Sequence, residues 1–207
     1  MVVTESFVPH NRDREPSSSL LLRVQAQEQT AWERLVHLYA PLVYSWCRRS
    51  GLQEADALDV GQEIFEAVWR KIATFRRVQA SDSFRGWLRT IARHKIIDHR
   101  RRRKGEGEAV GGSDELTRTL QQPARELPAP DAEEDNAEAR LLCQRAVALI
   151  QSEFEEKSWL AFQAVVMHDE KPADVAAALE MSVNAVYLAK TRILRRLRQE
   201  FEDIIDL

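Results

Sequence analysis

The residues of this chain that could do chemistry are cations, aromatics and one set of carboxylates, and their spacing suits binding rather than catalysis. Five consecutive cations, Arg100, Arg101, Arg102, Arg103 and Lys104, form its most concentrated charge. Just upstream, Phe75, Phe84 and Trp87 alternate with Arg76, Arg77, Arg85, Arg89 and Arg93, and His94 follows. Guanidinium groups beside aromatic rings are what a nucleic-acid surface needs: one grips phosphate, the other offers a face on which a base stacks. A third set, Asp59, Gln62, Glu63 and Glu66, is spaced three and four apart, which places it on one face of a helix. Against this, His10, His37, His94, His99 and His168 show no metal-ligand spacing, and no carboxylate pair is tied to a nucleophile. Cys47 and Cys143 stand far apart and read as packed or idle thiols. No cofactor, no metal and no enzymatic activity are expected.

Bland readings fit some of the same residues. Phe84 and Trp87 sit at core spacing, the carboxylate stripe suits a solvated helix face, and the Arg100 to Lys104 run suits the negative end of a helix dipole.

The net charge of −3 conceals a strong asymmetry. Residues 1–104 hold 19 Lys and Arg against 12 Asp and Glu, whereas residues 105–157 hold 5 against 13. A basic, phosphate-facing end therefore runs directly into an acidic segment. From Gly105 to about Asn136 that segment is rich in Gly, Pro and acidic residues without a sustained apolar period, the composition of a flexible linker. No apolar run approaches the roughly 20 residues that a membrane-spanning helix needs, and the first sixteen residues lack the order of an export signal. No membrane insertion and a cytoplasmic location are expected.

The elements that must position these groups read as helices throughout. Ser17 to Ser19 offer N-caps, and Leu21, Leu22, Trp32, Leu35, Val36, Leu38 and Tyr39 form a first apolar stripe. Pro41 fits the first turn of a second helix carrying Leu42, Val43 and Trp46, and Gly51 breaks the pattern. A third helix, from about Glu54 to Phe75, turns Leu58, Phe65, Val68, Trp69 and Ile72 inward. A fourth, from about Phe84 to Lys104, buries Phe84, Trp87, Leu88 and Ile91 while Arg85, Arg89 and Arg93 line a solvated side. After helices at about 138–154 and through Trp159 to Val166, the text KPADVAAALEMSVNAVYLAKTRILRRLR has the pattern of a helix-turn-helix. Pro172 opens its short helix, Met181 lies in the turn and Ser182 caps the last helix, which buries Val183, Val186, Ile193 and Leu197. The other side of that helix shows Asn184, Tyr187, Lys190, Thr191 and Arg195, donor-rich types suited to the major groove.

The strings DALDVGQEIFEAVWRKIATF and SFRGWLRTIARHKIIDHRRRR, followed by an acidic linker and a terminal helix-turn-helix, resemble the extracytoplasmic-function group of sigma factors in the sigma-70 family. The resemblance covers about Leu20 to Arg103 and Glu138 to Phe201. It implies a factor that binds core RNA polymerase and directs initiation at promoter DNA, in some members held by an anti-sigma factor. By the same resemblance, Asp59, Gln62, Glu63 and Glu66 meet the polymerase. Phe75, Phe84, Arg85, Trp87, Arg89 and Arg93, with His94, Arg100 and Arg101, meet the minus-ten element, and the connection from Arg76 to Ser83 walls the pocket for an extruded base. Ser182, Asn184, Ala185 and Tyr187, with Leu188, Lys190, Thr191 and Arg195, meet the minus-thirty-five element. Two positions depart from the family pattern: His94 stands where Asn is common, and Ala189 where the last helix often carries Arg.

The expected architecture is all-α, with two small helical domains. A disordered tail (1–19) precedes a promoter-recognition domain (20–104), a flexible acidic linker (105–136) and a helix-turn-helix domain (137–207). Two other functions compete: a stand-alone helix-turn-helix regulator, which would bind operators without polymerase, and a small nucleic-acid enzyme.

Overall fold

The computed structural model describes residues 19–76, 83–104 and 131–205. The expected amino-terminal tail, most of the expected linker and most of the Arg76 to Ser83 connection lie outside the described residues, as does the side chain of Lys104. Every regular element among the described residues is a helix.

Helix α1 (Leu20–Gln25) starts at Ser19, whose hydroxyl accepts from the Leu22 amide. Helix α2 (Gln29–Arg49) is continuous and carries Pro41 inside it, so the expected break at Pro41 is corrected. Pro41 has no N–H to offer the carbonyl of His37 one turn back. That carbonyl instead accepts from Arg145, its Nε at 3.1 Å with a second contact from the same guanidinium. A distant cation thus supplies the donor that proline removes. Gly51, at φ 82, ends α2 with the Gly51 amide on Arg48 and the Leu52 amide on Cys47. This paired closure needs a left-handed residue, which glycine adopts without steric cost.

Helix α3 (Glu54–Lys71) runs into a short 3-10 turn (Ile72–Thr74), and α4 spans Phe84–Lys104 as expected. Ala57, Val60, Ile64, Ala67 and Val68 are the buried stripe of α3. Leu58 falls one position off that stripe and is 59% exposed, which corrects its inward assignment. Leu22 is exposed for the same reason.

Helix α5 (Ala132–Ile150) begins inside the segment expected to be linker, capped by Asp131, whose carboxylate accepts from the Glu134 amide at 2.8 Å. Acidic residues Glu133, Glu134 and Asp135 in its first turn suit the positive end of the helix dipole. After a 3-10 turn (Gln151–Glu153) come α6 (Glu156–Met167), α7 (Pro172–Ala178) and α8 (Val183–Phe201).

The two halves do not stand apart. Leu20, Tyr39 and Trp46 of the first half share one buried apolar cluster with Leu142, Ala146, Ile150, Phe201, Ile204 and Ile205 of the second. A smaller cluster of Ala161, Val175, Ala176 and Val186 seats the helix-turn-helix.

Candidate nucleic-acid interface

On α3, Asp59, Gln62 and Glu66 are exposed and Glu63 is half-buried. The stripe is not an isolated acidic face. Glu63 receives Arg102 at 2.8 Å and Lys95 at 3.6 Å, and Asp56 receives Arg103 at 2.5 Å, so the basic end of α4 is stitched to α3. Beside the stripe lies an open groove of about 560 Å³ lined by Trp32, Val36, Gln62, Phe65, Glu66 and Trp69. Trp32 sits edge-on to Trp69 with ring centres 4.9 Å apart. Phe65 and Trp69 therefore wall a groove, half-buried, where the sequence reading placed them in the core.

At the start of α4, Phe75, Phe84 and Trp87 form a mutually touching trio with ring centres 5.0 to 5.5 Å apart. Tyr39 closes it from α2. Phe84 is 1% exposed and Phe75 also buried, so both are core residues in this arrangement; Trp87 alone of the three reaches solvent. His94 is buried as well, and burial pushes its imidazole below the ordinary range, with nearby Arg93 and Lys71 in the same direction and Asp98 opposing. Arg101 is exposed, whereas Arg100 donates to the Ser50 carbonyl.

Two of the three arginines expected to line a solvated side, Arg85 and Arg89, are covered, and Arg93 is half-buried. Arg85 donates to the Asp135 carbonyl at 2.9 Å and its carboxylate at 3.1 Å, with 12% of its side chain exposed. Arg89 reaches both oxygens of Glu138, at 3.2 and 3.3 Å, while lying over the Trp46 ring. Glu138 also accepts from Trp46 Nε1 at 2.7 Å and Arg49 at 2.6 Å. The sequence reading missed this arrangement because it assigned the beginning of α5 to a linker.

In the helix-turn-helix, the Ser182 hydroxyl accepts from the Ala185 amide at 3.1 Å and so fixes the start of α8. Ser182, Asn184, Tyr187, Leu188, Thr191 and Arg195 are exposed, Ala185 and Lys190 are half-buried, and Ala189 faces inward. Val183 is exposed rather than buried, since it precedes the first inward position, Val186. Arg196 pairs with Glu153 at 2.7 Å and with buried Glu200.

Residues 35–106 match the sigma-70 region 2 family. Over 121 residues the chain is also 30% identical to the RNA polymerase sigma factor NccH of Alcaligenes xylosoxydans xylosoxydans, a match covering 56% of this chain and 63% of that protein. Residues 35–106 therefore carry a sigma-70 region 2 domain. The chain spans less than two thirds of the length of that relative. Two solved structures cover 86% of the chain: the RsbN–BldN complex, with 97% of its own chain aligned (21% identity, TM-score 0.35), and CnrH in complex with the cytosolic domain of CnrY, with 92% (22% identity, TM-score 0.36).

The region 2 match runs from Leu35 on α2 to the end of α4, and so includes both the carboxylate stripe and the aromatic and cationic block. Trp32, at the mouth of the groove, lies just before it. Among the described residues no three His, Cys, Asp or Glu gather as a metal-ligand set, and no helix is long and apolar enough to cross a membrane.

Proposed function

We propose that the chain is a sigma factor of the extracytoplasmic-function type, which binds core RNA polymerase and directs initiation at chosen promoters. The observation that carries this reading is the union, in one chain, of a region 2 domain and a helix-turn-helix with an exposed donor face. Region 2 meets the polymerase through the α3 stripe and the aromatic groove beside it, where Trp32, Phe65 and Trp69 have the size and exposure of interface anchors. The α4 surface, with Trp87, Arg85, Arg89 and Arg101, contacts the minus-ten element. Phe75, Phe84 and His94 support that surface from beneath, since all three are buried. The face of α8 that bears Asn184, Tyr187, Thr191 and Arg195 reads the minus-thirty-five element in the major groove. All of this work is binding; the chemistry of RNA synthesis belongs to the polymerase.

Transcription in vitro with purified core polymerase and a library of upstream DNA fragments tests the reading. Initiation at a defined subset of fragments, dependent on this protein, is the expected result. Operator binding without any polymerase-dependent transcript would favour the stand-alone regulator, and metal-dependent cleavage of the DNA would favour an enzyme.

A further inference from the structure

The side that α8 turns to solvent is more apolar at its start than a surface meeting a polyanion needs to be. Val186, Ala189, Ile193 and Leu197 mark the buried side, seated partly on the cluster of Ala161, Val175 and Ala176. At about 100° per residue, the opposite side runs through Asn184, Leu188, Thr191 and Arg195, with Val183 and Tyr187 on one flank. Val183, Tyr187 and Leu188 are all exposed large apolar side chains. Scattered singly they would need no explanation, but crowded into the opening turns of one helix they form a patch. The exposed cations lie farther along, at Arg192, Arg195 and Arg198. Lys190 is half-buried on the flank between Val186 and Leu194, one turn before it and one turn after.

In a helix-turn-helix the amino-terminal residues of the recognition helix contact base edges, while cations elsewhere grip phosphate. Guanine is read through its O6 and N7 acceptors by Arg or Lys, and the opening turns of α8 expose neither. What they do expose matches the other base pair. The Asn184 amide has the donor for adenine N7 and the acceptor for its N6 amino group, and apolar side chains pack on the C5-methyl of thymine. Thr191 adds to the apolar set. Its hydroxyl donates to the Tyr187 carbonyl at 2.9 Å, so that proton is committed within the helix and what remains to offer a base is chiefly a methyl group.

We infer that the opening turns of α8 read A·T pairs in the upstream promoter element: Asn184 pairs with an adenine edge, and Leu188, flanked by Tyr187 and Thr191, packs on the methyl group of a neighbouring thymine. No guanine contact comes from this end of the helix. The inference rests on the reading of α8 as the helix that enters the major groove. Leu188 and Asn184 then determine specificity, whereas Arg192 and Arg198 supply affinity without regard to sequence.

The test uses holoenzyme assembled from the full chain and core polymerase, on the fragment of the upstream library that initiates most strongly. Deoxyuridine replaces each thymine of the upstream element in turn, which removes one methyl group and keeps the base pair. At least one replacement is expected to weaken holoenzyme binding about fourfold, the effect of exposing one buried carbon group. Replacing the contacted adenine by 7-deazaadenine, which removes N7, should weaken binding about fivefold or more. Leu188→Ala is expected to abolish the sensitivity to deoxyuridine and Asn184→Ala the sensitivity to 7-deazaadenine, whereas Arg198→Ala weakens binding to every duplex alike. Three results overturn the inference: a parent indifferent to every deoxyuridine, a Leu188→Ala protein that stays fully sensitive to it, or an element whose costliest single substitution falls on a guanine. The first needs no variant, so a substitution that fails to fold does not spare the inference. Initiation that ignores the methyl groups sinks the base reading alone, whereas no initiation at any fragment sinks the sigma-factor reading and this inference with it.

Discussion

Tyr39→Phe removes one oxygen from a fully buried residue and tests whether the halves are joined in solution as the structure shows. The Tyr39 hydroxyl donates to the Ile204 carbonyl at 2.6 Å, across a sequence separation of 165 residues. The ring also packs against Phe84 with centres 5.2 Å apart, a contact that phenylalanine keeps. The substitution therefore leaves volume and apolar packing in place and orphans one buried carbonyl. An unsatisfied buried acceptor costs about 1–2 kcal/mol. At this chain length each kcal/mol corresponds to roughly 2–4 °C in Tm, so a fall of about 2–8 °C is expected. Urea denaturation followed by circular dichroism is the companion assay, with a lower midpoint and an unchanged slope as the signature of lost stability rather than altered compactness. If the halves moved independently, water would already serve both the hydroxyl and the carbonyl, and the change would fall within about 0.5 kcal/mol of zero. That outcome refutes the joined arrangement.

Further outcomes follow from the same geometry. His94, held below the ordinary value of 6.5 chiefly by burial, binds fewer protons folded than unfolded, so its contribution is intact above pH 6.5 and is lost as pH falls below it; His94→Gln should flatten the decline in urea midpoint between pH 7 and 5.5, and an unchanged slope refutes this. Trp32→Ala, at the mouth of the groove, should weaken binding to core polymerase by about tenfold or more while the chain stays helical; wild-type affinity by surface plasmon resonance would remove the groove from the interface. Arg196→Ala should destabilise the fold by about 1–3 kcal/mol, because Glu200 is buried and its contacts with Arg34 and Arg196 are close ion pairs without good hydrogen-bond angles. By contrast, Asn184→Ala should change the ranking of promoters in a transcription assay at little cost in stability, and an even loss on every promoter would show that Asn184 does not read bases.

Periodicity, caps and breakers made most of the local structure legible. The span of α4, the Ser19 cap, the Gly51 stop and the Pro172, Met181, Ser182 signature of the helix-turn-helix all appear where short-range rules place them. Such features are legible because each depends on residues within one or two turns. The same locality explains the errors. Pro41 signals a helix start by propensity, yet α2 runs through it, because Arg145, over a hundred residues away, takes the freed carbonyl. Asp131 to Asn136 read as linker by composition, yet the Asp131 cap and the cations of α2 and α4 give that acidic stretch a reason to be helical.

The sequence by itself determined the helices, the segregation of charge and the donor-rich face of the last helix, because these follow from residue type and a period of 3.6. Only the tertiary structure decided which cations are free and which are covered. Arg85 and Arg89 look alike in the text to Arg101, but their environment is made by Asp135 and Glu138 from another part of the chain. Electrostatic partnership is a property of distance in space, and no pattern along the chain encodes which carboxylate will reach which guanidinium once the helices have packed.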